Sequence, residues 1–263
     1  MKKLLPIIAV CLTLISHAQV RLHFDEVTVI ETEDIPLTYY DGKLFTGVVF
    51  EDNSKGELRS EINFKDGQPD GLAQFWHENG LLKEQSNYKD GKEDGLFKLW
   101  FENGQLRSEG TYKDGQLDGV YREFNENDEL IKQVNFEDGK QNGLTQYWYE
   151  NGQLKEEGNF EAGILNGLLR QWYENGQLKH QQTYKDGKLD GIAHEWYENG
   201  QLKLAANYSD GMLNGSVQRW YENGQLATSS HYKGGLIDGL LRMWYPNGRL
   251  KQEDNFKDGI RMN

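Results

Sequence analysis

Carboxylates are the most frequent reactive groups in this chain, and many recur at a fixed step. Glu102, Glu150, Glu174, Glu198 and Glu222 each open the same Glu-Asn-Gly triplet. Such a row suggests calcium, but equivalent residues of successive hairpins stand two strands apart, ~10 Å, too far for one ion to span. Like charges at that distance repel by only about 0.4 kcal/mol in water, so the row needs no metal to exist. The Asp-Gly segments also lack the spacing of an EF-hand loop. The sequence therefore predicts no metal site.

Histidine and serine offer no catalytic constellation. His77, His180, His194 and His231 stand at different phases of the repeat described below, so they form neither a row nor a cluster. There is no Gly-x-Ser-x-Gly elbow and no glycine-rich phosphate loop. Carboxylate pairs abound, but they return with every repeat, whereas a catalytic pair is singular and desolvated. The expectation is a protein without catalytic residues or cofactor. The side chains best suited to recognition are aromatic: Tyr149, Tyr173, Tyr197, Tyr221 and Tyr245 occupy one phase, with Phe101 and His77 in the equivalent slots. An exposed aromatic stripe marks an interaction surface. The competing reading is that these rings stack on one another and stiffen the molecule.

The elements that carry these residues follow from a period of 24 residues, read from Gly67, Gly91, Gly115, Gly139, Gly163, Gly187, Gly211, Gly235 and Gly259. All but Gly110, Gly158 and Gly234 of the 30 glycines sit in phase. All seven tryptophans do as well: Trp76, Trp100, Trp148, Trp172, Trp196, Trp220 and Trp244, with Phe124 in the remaining slot. A residue demanded once per repeat serves the repeat, so these eight are the expected structural core. Each unit reads as a hairpin: Ile192–Tyr197, the turn Glu198-Asn199-Gly200, then Leu202–Tyr208. A wider turn containing Asp210-Gly211 and Asn214-Gly215 leads onward. Asn-Gly and Asp-Gly favour hairpins because both residues tolerate positive φ. A three-residue loop with left-handed Gly200 places Trp196 opposite Leu202, and simple alternation then gathers Ile192, Trp196, Leu202 and Tyr208 on one face. Ala193, Glu195 and Tyr197 fall on the other. The predicted fold is all-β: an elongated single-layer meander of 24-residue hairpins forming a twisted open sheet, roughly 80 Å long for eight units.

Composition agrees with a thin structure, since only 37% of residues are hydrophobic while 12% are aromatic. Residues 1–18 read as a signal peptide: Lys2 and Lys3 precede an apolar run from Leu4 to Ile15, and Ser16-His17-Ala18 supplies a cleavage site after Ala18. The run is shorter than the ~20 residues of a spanning helix, so no integral membrane segment is expected after cleavage. Cys11, the single cysteine, leaves with the leader. Loss of Lys2 and Lys3 takes the formal charge from −13 to −15, which disfavours nucleic acid as a partner. Residues 19–41 are expected to cap the first sheet edge with strands, and residues 42–263 to form the repeat array.

The pattern Trp-Tyr-Glu-Asn-Gly-Gln-Leu-Lys followed by Tyr-Lys-Asp-Gly-Lys resembles the MORN repeat, specifically the bacterial variant found in proteins labelled YwqK-family antitoxins of toxin–antitoxin systems. The resemblance runs from about Asp41 to Gly259. It implies a scaffold for protein or lipid contacts, and its label implies an antitoxin- or immunity-type neutraliser. An exported chain departs from the cytoplasmic setting of that label. Three readings follow. The first is an exported, non-enzymatic scaffold that binds a protein partner through the tyrosine row. The second is a binder of carbohydrate or envelope glycan through aromatic rows. The third is an architectural ribbon that self-associates edge to edge.

Overall fold

The computed structural model describes residues 19–32 and 35–263; the expected signal peptide lies outside the described residues. The fold is nearly all β, one long, mostly antiparallel open sheet of successive hairpins, with a single 3-10 turn among the described residues, at Phe24–Glu26. The N-terminal segment is built differently. Strand β1 (Arg21–His23) pairs in parallel with β5 (Gly47–Asp52), while β2 (Thr28–Ile30), β3 (Leu37–Tyr40) and β4 (Lys43–Leu44) make a small separate sheet. Leu22, Phe45 and Val49 form a buried cluster there, with Val27 and Phe64 packed against it. Backbone bonds tie the small sheet to the first repeat turn: Thr38 N–H donates to the Gly67 carbonyl and Gly67 N–H to that of Phe45, both at 2.8 Å.

Each repeat is closed by two different loops. At the Glu198-Asn199-Gly200 loop, Tyr197 N–H donates to the Gln201 carbonyl at 2.8 Å and Gly200 N–H to that of Tyr197 at 2.9 Å. Gly200 has φ +82°, and Trp196 lies opposite Leu202, as the three-residue loop requires. The other connection is tighter than expected. Asp186 and Gly187 have φ of 49° and 76° between the paired Lys185 and Lys188. This is the two-residue turn whose twist matches that of the strands. The following Asp190-Gly191 pair is therefore part of a strand, where Gly191 at φ 112° sits in an irregularity of register.

A second irregularity corrects the expected faces. Trp196 pairs with Leu202 but Glu195 pairs with Leu204, so Lys203 is an extra residue on its strand. Simple alternation fails across that bulge. Ile192, Trp196 and Leu202 do share a face, but Tyr208 crosses to the face of Ala193 and Glu195. There it pairs with Gly191. Phe64, Tyr88, Tyr112, Phe136, Phe160, Tyr184, Tyr232 and Phe256 hold the equivalent place, each opposite a glycine. A ring laid over a bare strand glycine covers backbone that would otherwise meet water.

The most buried residues lie on this second face and most are small: Ala73, Ser86, Val134, Thr145, Ala193 and Ala206 are each at most 4% exposed. The tryptophans and Phe124, expected as the core, are half-buried on the first face. A single-layer sheet has no second layer to cover an indole, whereas small side chains are covered by their own large neighbours. Two cross-strand pairs trade volume accordingly: Phe97 faces Gly110 and Tyr121 faces Val134. A Cβ on Gly110 would lie 2.7 Å from the Phe97 ring, which explains one glycine that falls out of phase.

Candidate functional site

The tyrosine row is positioned by the three-residue loop, which each tyrosine immediately precedes. Four of its five hydroxyls are spent within the sheet. Tyr149 OH donates to the Trp172 carbonyl at 2.7 Å, Tyr173 to Trp196 and Tyr197 to Trp220 at 2.9 Å, and Tyr221 to Trp244 at 2.8 Å. His77 Nε2 meets the Trp100 carbonyl at 3.0 Å in the same way. Each bond joins one repeat to the next. Burial pushes the Tyr149 and Tyr173 hydroxyls above their ordinary pKa, so they remain donors at any physiological pH.

The rings are also partnered from above. Lys155 Nζ lies 5.4 Å from the Tyr149 ring centroid, Lys179 5.4 Å from Tyr173 and Lys203 5.6 Å from Tyr197. The Arg107 guanidinium lies 5.9 Å from the Phe101 ring. These cations come from the bulge position, so the extra residue that switches the faces also delivers the ammonium to the ring. Lys203 further bonds Glu195 at 2.6 Å. Tyr149, Tyr173, Tyr197 and Phe101 are consequently half-buried, as is Tyr221, whose bulge position holds Ala227; Tyr245 is 37% exposed.

The asparagines of the loops form a parallel ladder. Asn151 Nδ2 donates to the Glu174 carbonyl, Asn175 to that of Glu198 and Asn199 to that of Glu222, at 2.9–3.1 Å. The glutamate row thus presents exposed carboxylates while its carbonyls bind the preceding repeat. Among the described residues no group of three or more His, Cys, Asp or Glu is placed to hold a metal ion. His180 and His194 do approach one another's strand, since Gln181 pairs with His194 and His180 with Glu195. Burial holds the His180 imidazole below its ordinary pKa, partly opposed by Glu195.

The surface that remains unspent is the tryptophan face. Leu96, Val120, Ile192 and Leu240 occupy one phase of it and are 43%, 36%, 53% and 42% exposed. They run parallel to the half-buried tryptophans, separated from them by a polar ladder in which Lys98, Glu109 and Arg122 form ion pairs at 3.5 and 3.2 Å. Sequence reasoning had these aliphatics within the repeat's apolar face and did not single them out as exposed. Their signal was the residue type itself: an aliphatic at one phase of a repeat whose fully buried positions are small.

The MORN repeat variant family matches eight segments of the chain: residues 69–90, 93–114, 117–138, 141–162, 165–186, 189–210, 213–233 and 237–258. No curated protein matches it. Among the described residues no helix is long and apolar enough to cross a membrane.

Proposed function

The chain belongs to the MORN repeat variant family, and from that premise we propose that it is an exported, non-enzymatic scaffold that binds a protein partner. The observation that supports this reading is the unspent apolar row of the tryptophan face, Leu96, Val120, Ile192 and Leu240. The same phase carries half-buried Leu72, Leu144 and Leu168 and one polar residue, Ser216; aliphatics exposed on a stiff sheet are what a protein interface buries. Tyr149, Tyr173 and Tyr197, by contrast, have both hydroxyl and ring face engaged by the repeats themselves. Export rests on the leader-like residues 1–18, with cleavage after Ala18. An antitoxin- or immunity-type neutraliser of an exported effector is the form this scaffold takes if the antitoxin label of its repeat class applies.

Residues 19–263, crosslinked to envelope and secreted fractions of the source cell, test the reading. A Val120→Ser, Ile192→Ser, Leu240→Ser variant and a Tyr197→Phe, Tyr221→Phe variant accompany the native chain. The expected result is one dominant protein, captured by the native chain and the phenylalanine variant and lost from the serine variant. Capture of glycan without protein, or equal capture by all three, overturns it.

A further inference from the structure

The repeat at residues 117–138 departs from its neighbours at the three-residue loop. Phe124 stands where the others have Trp, Asn125 where they have an aromatic or histidine, Asp128 where they have Gly, and Ile131 where Arg107, Lys155, Lys179 and Lys203 supply a cation. In those four repeats ring and cation form a pair. In this one both members are missing together. Asn125 does not reach along the sheet to replace them. Its Nδ2 donates to Glu129 Oε2 at 2.7 Å, and its Oδ1 accepts the N–H groups of Asn127 and Glu129 at 3.0 Å, so it caps its own loop.

The missing pair leaves a groove of about 550 Å³, bordered by Ile131, Tyr147, Glu123, Glu150 and Glu156 and by two lysines. Both lysines have internal partners: Lys132 Nζ lies 3.9 Å from Glu123 and 5.4 Å from the Tyr121 ring, and Lys155 stands over Tyr149. Glu156 accepts one bond, from Gln171 at 2.6 Å, and a carboxylate has capacity for more. The groove therefore offers an aromatic ring, an aliphatic wall and carboxylates, on a chain of strong negative charge. A planar guanidinium uses all of these at once, stacking on the ring and bonding the carboxylates, and the net charge favours its approach.

We propose that this groove receives an arginine side chain from a basic segment of a partner protein, in the place the resident ring and cation hold in neighbouring repeats. The source of the side chain rests on the scaffold reading above; the groove itself does not depend on the apolar face.

A titration of residues 19–263, labelled at isoleucine methyl groups, with a blocked Gly-Gly-Arg-Gly-Gly peptide tests the groove without any natural partner. The Ile131 δ1-methyl resonance is expected to shift saturably while those of Ile164 and Ile192 stay in place. The same peptide with Gln for Arg is expected to bind at least tenfold more weakly, as is the Arg peptide to a Glu150→Gln, Glu156→Gln variant. Asn125→Tyr, which supplies the ring found in neighbouring repeats and leaves Ile131 observable, is expected to abolish the shift. No saturable shift at Ile131, or equal affinity in the Asn125→Tyr variant, overturns the proposal. Saturable peptide binding at Ile131 together with undiminished capture by the serine variant would uphold the groove and overturn the apolar-face reading.

Discussion

A tyrosine hydroxyl in this protein does the work of a rivet. Tyr197 OH bonds the Trp220 carbonyl across one full repeat, and the Lys203 ammonium stands over its ring. Removing the hydroxyl alone should cost about 0.5–1.5 kcal/mol, the net worth of one hydrogen bond. Tyr197→Phe is therefore expected to raise amide exchange around Trp220 and to leave binding at the tryptophan face unchanged, a comparison made on one labelled sample with and without partner. Glycine at the residue scale is of two kinds. Gly200, at φ +82°, is demanded by backbone conformation, whereas Gly110 is demanded by the Phe97 ring.

At the scale of the element, the Asp-Gly turn is the most uniform device in the chain. Asp66, Asp90, Asp114, Asp138, Asp186, Asp210 and Asp258 all adopt φ between 46° and 50°, and Ala162 takes 49° in the same slot. Gly234 fills it once, at φ 55°, with nothing within 4 Å of where its Cβ would stand. Aspartate tolerates this conformation and restricts the unfolded chain more than glycine does. Gly234→Asp is thus expected to be tolerated, its entropic gain of roughly 0.4–1 kcal/mol offset by the strain of a side chain at positive φ, read as a thermal midpoint close to that of the native chain. The hairpin also shows why one element can contradict its own alternation. Its two strands agree in register at Trp196 and Leu202, then lose one residue to Lys203, and every side chain beyond that point changes face.

At the scale of the molecule, the hairpin strands of the repeats pair with their sequence neighbours, and β1 on β5 is the parallel exception. Such a chain is close to one-dimensional, with stability summed over repeats and their interfaces. Val134 is fully buried beneath Tyr121 and belongs to a single repeat. Val134→Ala should cost roughly 1–3 kcal/mol locally. Faster amide exchange is expected within residues 93–162 and not in residues 189–258. A uniform change along the whole chain would show instead that the sheet unfolds as one cooperative unit.

Much of this was legible without coordinates, because each repeat states the same local rule. Asn-Gly and Asp-Gly turns at a 24-residue step permit little besides a row of hairpins, and the left-handed glycine of the three-residue loop set the pairing of Trp196 with Leu202. Those are local properties of the backbone, so sequence alone determined the fold class and the repeat. It did not determine which face is buried. That depends on one unpaired residue per hairpin, Lys203 and its equivalents, whose displacement arises from pairing between strands and does not follow from the basic residue type that several repeats place there. Nor did it determine the use of the tyrosines, since a hydroxyl finds a carbonyl 23 residues away only once neighbouring repeats are stacked in register. The small buried row, the spent tyrosines and the groove at Asn125 are decisions of the tertiary structure, made where one repeat meets the next.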